Sequence, residues 1–141
     1  MKNWTPKQIA RAAGATLVAS ATQTSGPESA TLDSRAAGPG SLFIGLKGAN
    51  TDGGQYAAAA LGRDAWGVLV TPGKAERAAI AGTGTILAAP DPLRALQQLA
   101  TSWRRHLSAD VVGITGSTGK TSTKELVLAL LSPHRRTIAS R

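Results

Sequence analysis

The chain has 141 residues, 42% hydrophobic and 17% charged, a composition that supports a packed core and excludes an intrinsically disordered protein. It contains no cysteine, which excludes disulfide frameworks, Cys-ligated zinc and thiol catalysis. The net charge of +8 suits a polyanionic ligand, and a nucleotide is one.

Basic residues are spread along the chain, apart from a cluster near its end at Arg104, Arg105, His106, His134, Arg135, Arg136 and Arg141. No aromatic interleaving and no RRM, KH or zinc-finger pattern accompanies it, so no specific nucleic-acid binding is expected. The opening "MKNWTPKQIARAAG" lacks an apolar signal core, and nowhere do about 18 apolar residues run together. No membrane insertion is expected, and the simplest location is the cytoplasm.

In chain order, Thr5, Pro6 and Gln8 form a capping box with proline in the first turn, predicting a helix that Gly14 ends. Trp4 is placed to staple it. "ATLVAS" is a candidate strand and "ATQTSGPES" a loop by composition. "LFIGLKG" is a strand of mixed alternation, "ANTDGGQ" a turn, and "YAAAALGR" a short helix. "WGVLV" is a buried strand stopped by "TPG", "AERAAIAG" a helical turn, and "TILAAP" another strand. Asp91 and Pro92 open the clearest helix, with Leu93, Leu96, Leu99, Ala100, Trp103 and Leu107 at three- and four-residue steps. "VVGIT" then reads as a strand and "KTSTKELVLALLS" as a helix. The alternation predicts an α/β fold throughout, with Trp66 and Trp103 as packing residues.

The stretch "VVGITGSTGKTSTKE" sets a glycine-rich turn between an apolar strand and a helix. Backbone N–H groups of residues 116–121 are placed to line an anion-binding concavity, with the helix dipole aimed at phosphates. Gly116 and Gly119 permit close backbone approach. Lys120 brings a point charge to the β/γ-phosphates, and the Thr121 hydroxyl is a candidate Mg²⁺ ligand. The strict G-x-x-x-x-G-K-[ST] spacing fails, because Ile114 stands where its first glycine belongs.

That variant resembles the T-G-[ST]-x-G-K-[ST] loop of the Mur ligases. A second block, "DSRAAGPGSLFIGLKGANTDGGQYAAAALGRDAWGVLV", is similar to the family's amino-terminal UDP-substrate domain, with its D-[ST]-R, P-G-x-L-F-x-A-L-x-G and D-G-H-x-F elements. Within the family, Ser117, Thr118 and Lys124-Glu125 resemble the member that adds D-Ala-D-Ala. Two departures stand out: Gly54 replaces the histidine of D-G-H-x-F, and Asp64-Ala65 replaces a usual Gly-Ala.

The resemblance implies a small mixed α/β amino-terminal substrate-binding domain over residues 1–88. The first helix–strand–P-loop–helix unit of a parallel-sheet ATPase domain follows over residues 89–141. It implies an ATP- and Mg²⁺-dependent ligase joining D-Ala-D-Ala to UDP-MurNAc-tripeptide through an acyl phosphate. It places Gly116, Ser117, Thr118, Gly119, Lys120, Thr121 and Ser122 at ATP, with Thr121 on the metal. Ser34, Arg35, Lys47 and Asp52 fall in the UDP-substrate site, Ser34 toward the uracil or ribose, Arg35 and Lys47 toward the diphosphate. The alternative for Asp33 and Arg35 is a structural ion pair, and for Lys47 a solvated strand end. Because relatives run on beyond the loop, the chain is expected to be an amino-terminal fragment with no complete catalytic set, inactive by itself. Two other readings remain: the tripeptide-forming sister ligase, and a non-catalytic UDP-sugar-binding module with a vestigial loop.

Overall fold

A computed structural model describes residues 1, 3–21, 25–49 and 51–140. Residues 22–24 of the predicted "ATQTSGPES" loop, position 50 of the predicted turn, and Arg141 of the basic cluster lie outside the described residues. The chain forms two compact units, Met1–Leu107 and Ser108–Arg141.

The first unit is built on a five-stranded sheet in the order β1–β5–β4–β3–β2. The strands are β1 (Thr16–Ala19), β2 (Ser29–Thr31), β3 (Ser41–Ile44), β4 (Gly67–Val70) and β5 (Thr85–Ala88). β2 to β5 run parallel, and β1 closes one edge antiparallel to β5. Every residue of β3, β4 and β5 is buried, because helices cover both faces of the sheet.

On one face, α1 (Pro6–Ala13) and α4 (Pro92–His106) pack Ile9, Ala13, Ala95 and Leu99 against Leu42, Ile44, Leu69 and Leu87. On the other, α2 (Ala57–Leu61) and α3 (Pro72–Ala81) pack alanines against Phe43, Val68, Val70, Ile86 and Ala88. The two sets alternate along each strand, as the pleat requires. Alanine on α2 and α3 lets these helices lie close to the sheet.

Local chemistry sets the helix starts. The Thr5 amide donates to Gln8 Oε1 at 2.8 Å and the Gln8 amide to Thr5 Oγ1 at 3.3 Å, so the capping box is complete. Asp91 Oδ1 accepts the Arg94 amide at 3.0 Å. Trp4 packs with the cluster that holds Ile9 and meets the Trp103 ring edge-on at 5.4 Å. Trp66 is buried and donates its indole N–H to the Ser25 carbonyl at 2.6 Å.

Four elements differ from the sequence reading. No apolar pattern in "SAT" marks β2; parallel pairing with β3 makes it a strand. α3 is a ten-residue helix rather than a turn, since Pro72, which stops β4, also opens the helix. The "LFIGLKG" strand ends at Ile44, leaving Lys47 in the following loop rather than at a strand end. "VVGIT" is not a strand: Val111 and Val112 are 65% and 61% exposed, and the second unit has no strand among its described residues to complete a ladder.

The compact units divide after Leu107. Through Ala95, Leu99 and the Ser102 hydroxyl, which donates to the Ala12 carbonyl at 3.3 Å, α4 is fastened to the first unit. The second unit holds α5 (Lys120–Leu131), none of whose residues is buried.

Two substitutions test this packing. Asp64 has φ +60°, the left-handed region where a Cβ is disfavoured. Asp64→Gly should therefore raise stability by about 0.5 kcal/mol, strain relief exceeding the added unfolded-state entropy; denaturant unfolding showing a loss would contradict this. The Thr85 hydroxyl is fully buried and has no hydrogen-bond partner among the described residues. Thr85→Val, which keeps the shape and removes the unpaired group, should stabilise by about 1 kcal/mol, read as a higher urea midpoint at unchanged slope.

Candidate functional site

Parallel register sets the carboxyl ends of β2, β3, β4 and β5 along one edge of the sheet, at Thr31, Ile44, Val70 and Ala88. Open α/β sheets bind ligands at this edge. Ser34 and Arg35 follow β2, Lys47 and Asp52 follow β3, and the first turn of α3 follows β4. Topology thus collects all four residues that sequence placed in the UDP-substrate site, though they come from two separate loops.

Ser34 and Arg35 lie in a 3-10 turn, Ser34–Ala36, that Asp33 caps by accepting the Arg35 amide at 2.9 Å. The Arg35 guanidinium also donates from Nε and Nη2 to the Asp33 carboxylate, the Nη2 bond being 2.9 Å. This hydrogen bonding holds the Asp33 carboxyl down at about 2, the side-chain bond first and the amide second, and raises the Arg35 pKa. The ion pair anticipated from sequence is therefore present, on a side chain 84% exposed.

Beyond β3 the chain folds back, with Lys47 and Asp52 paired across an antiparallel bridge. Asp52 Oδ1 caps the turn Gly53–Tyr56 by accepting the Gly54 amide at 2.9 Å. Its other oxygen lies 3.7 Å from Lys74 Nζ. A Cβ built on Gly45 would stand 2.5 Å from the Gly54 Cα, and one on Gly54 would stand 2.9 Å from the Lys74 Cγ. Lys74 thus occupies the space into which a side chain at position 54 would project. Sequence reading missed Lys74 because nothing local marks it; only the β4–α3 turn brings it beside the β3 loop.

A separate open groove of about 530 Å³ lies between α1 and α4, lined by residues including Arg11, Arg94 and Arg105. None of the candidate site residues lines it.

In the second unit, Gly119 sits at the head of α5 with φ +77°, a conformation natural to glycine. Lys120 donates its ammonium to the Gly116 carbonyl, curling over the loop. Residues 115–122 are exposed, and a Cβ on Gly119 would meet nothing within 4 Å. Ser117 and Thr118 present hydroxyls on the open loop, and Thr121 and Ser122 present theirs in the first turn of the twelve-residue helix that follows. No group of three or more His, Cys, Asp or Glu that could hold a metal occurs among the described residues. A magnesium ion held by one hydroxyl and nucleotide phosphates needs no such group, so the loop fits a metal–nucleotide complex. No helix among the described residues is long and apolar enough to cross a membrane.

No family model matches the chain. It is 40% identical over 127 residues to UDP-N-acetylmuramoyl-tripeptide–D-alanyl-D-alanine ligase of Mycobacterium tuberculosis, covering 77% of this chain and 24% of that one. It is 41% identical over 99 residues to the UDP-N-acetylmuramoyl-L-alanyl-D-glutamate–2,6-diaminopimelate ligase of Streptomyces coelicolor, covering 69% and 19%. Among solved structures, a D-alanyl-D-alanyl ligase from Acinetobacter baumannii superimposes with TM-score 0.81 at 29% identity, over 98% of this chain and 30% of that one. MurF ligase from Thermotoga maritima, in complex with ADP, gives 0.61 at 29% identity, over 75% and 23%. The chain spans about a quarter of the length of the curated relatives it matches.

The relatives and the solved structures agree on one family, the Mur ligases, and the chain belongs to it. Within it, the D-Ala-D-Ala-adding ligases supply the Mycobacterium relative and both structures, in agreement with Ser117, Thr118 and Lys124-Glu125 of the loop and helix.

The Asp33–Arg35 pair has a pH signature. Because the folded Asp33 pKa is depressed to about 2 from 3.8, the pair is intact above pH 3.8 and is lost as pH falls through 2. Carboxyl-carbon NMR should place the Asp33 midpoint near the lower value, and Arg35→Ala should return it toward the ordinary one. An Asp33 midpoint that Arg35→Ala leaves in place would show that the guanidinium does not hold the carboxylate.

Proposed function

We propose that this chain carries the UDP-substrate domain and the phosphate loop of a cytoplasmic, ATP-dependent ligase that adds D-Ala-D-Ala to UDP-MurNAc-tripeptide. The observation that carries the reading is the fold similarity to a D-alanyl-D-alanyl ligase over 98% of the chain, joined to the T-G-S-T-G-K-T loop at residues 115–121.

A carboxylate is a poor electrophile, because it is anionic and has no good leaving group. Transfer of the γ-phosphoryl of ATP to the terminal carboxylate of the tripeptide releases ADP and leaves an acyl phosphate. The amino group of D-Ala-D-Ala attacks the acyl carbon, the C–O bond to phosphate breaks, and the amine loses its extra proton as the new amide forms. Products are UDP-MurNAc-pentapeptide, ADP and phosphate.

In this reaction the loop positions and neutralises phosphates. The amides of residues 116–121 would donate to phosphate oxygens, Lys120 would exchange the Gly116 carbonyl for the β/γ-phosphates, and the Thr121 hydroxyl would hold Mg²⁺. When bound, that ion would supply charge neutralisation to the phosphates. Residues 1–88 form the substrate domain in this reading, and residues 89–141 open the ATPase domain, although α4 packs on the substrate domain's sheet. Ser34 addresses the nucleoside, and Arg35 and Lys47 address the diphosphate.

The sister 2,6-diaminopimelate ligases, with comparable identity over a shorter stretch, are the second reading. They act on the same UDP-MurNAc scaffold, so the substrate-domain assignments hold under both.

A melting experiment tests the substrate site. A UDP-MurNAc ligand at 100 times its dissociation constant adds about 2.7 kcal/mol, raising the melting temperature by about 10 °C. Adenosine diphosphate should not mimic it, and Ser34→Ala with Arg35→Ala should erase most of the shift. A melting curve unmoved by saturating UDP-MurNAc-tripeptide would remove the substrate site from this sheet edge.

A further inference from the structure

Lys74 lies in the first turn of α3, directly after β4, at the same sheet edge as Ser34, Lys47 and Asp52. Its side chain is 24% exposed. Among the described residues its ammonium makes no hydrogen bond. Its ionic neighbour among those residues, Asp52 Oδ2, is 3.7 Å away, beyond direct hydrogen-bond range. The other Asp52 oxygen is committed to the Gly54 amide. Three N–H donors on a half-buried cation are thus left for water or for a ligand.

The helix offers no reason of its own for a lysine here. The first turn of α3 contains no acidic residue and Thr71 makes no side-chain cap, so a cation at this end opposes the helix dipole. What the position provides is reach. The Lys74 methylenes lie over Gly54, 2.9 to 3.3 Å from where a Cβ at 54 would stand, and this packing orients the stem along the β3 loop. Asp52 then fixes the head group loosely enough for it to be drawn onto a stronger anion.

We propose that Lys74 is a further substrate-positioning residue, whose ammonium binds the diphosphate of the UDP ligand; this rests on the substrate-site reading above. An ammonium is a point charge with donors only. It recognises phosphate oxygens, and it gains little from a neutral uracil or ribose. Lys74 and Lys47 then both serve the diphosphate, one from α3 and one from the β3 loop, where Lys47 bridges Asp52.

The test compares UDP with uridine by calorimetric titration of the full chain. Lys74→Met keeps the methylene packing over Gly54 and removes the charge. It should weaken UDP at least tenfold while leaving uridine unchanged, and Lys74→Arg should restore part of the loss. A purely structural lysine predicts instead equal losses for both ligands and a lowered melting temperature. Unchanged UDP affinity in Lys74→Met, alongside loss in the Ser34→Ala, Arg35→Ala pair, overturns the role of Lys74 and leaves the substrate site standing. Failure of UDP to bind the unsubstituted chain overturns both. Should Lys74→Met not fold, lysine-labelled unsubstituted protein decides: the Lys74 ε-methylene signal should shift with UDP and not with uridine, and an unmoved signal at UDP saturation overturns the proposal.

Discussion

The parallel pairing of β2, β3, β4 and β5 is the constraint from which the rest of the first unit follows. A parallel ladder buries its strands on both faces, so β3, β4 and β5 carry apolar residues at nearly every position and helices must cover both sides. Parallel strands also return through crossovers, and here α2 serves β3–β4 and α3 serves β4–β5, while the β2–β3 connection carries the 3-10 turn Ser34–Ala36. The same register aligns four carboxyl ends, and the loops leaving them carry the polar residues of the site.

Three aspartates stand at that edge, each spent on the backbone. Asp33 caps the turn after β2, Asp52 the turn after β3, and Asp91 the helix after β5, each accepting an amide at 2.9 to 3.0 Å. Carboxylates tied to N–H groups are partly neutralised, which lowers the repulsion an approaching anion would meet. The cations beside them, Arg35, Lys47 and Lys74, retain donors free to turn outward. A polyanionic ligand is compatible with this edge even though it contains as many acids as bases.

The second unit works on another principle. Its loop needs no core to define its shape locally, because Gly119 in the left-handed region and the helix start it precedes set the backbone. What it lacks is cover: Leu126 and Leu130 are 64% and 70% exposed, and its ion pairs, Arg135–Asp110 and Lys124–Glu125, lie at the surface, where such pairs contribute little. The local backbone of the loop is therefore set by Gly119 and the start of α5, without burial of its side chains.

By itself the sequence determined the features that rest on neighbours within a few residues. Thr5-Pro6-Gln8 and Asp91-Pro92 specified two helix starts, "WGVLV" and "TILAAP" specified buried strands, and Gly119 specified the left-handed turn that opens α5, because caps, burial runs and turn glycines act locally. Tertiary structure decided what depends on distant pairing. "SAT" became β2 only beside β3, and "VVGIT" stayed irregular for want of a neighbouring strand. α4, which sequence grouped with the loop, joined the first sheet through Ala95 and Leu99. Lys74 entered the site because β4 ends next to β3 and its side chain fills the room that Gly54 leaves. No stretch of residues 45–56 or 70–75 alone contains that contact, which exists only once the two strands are side by side.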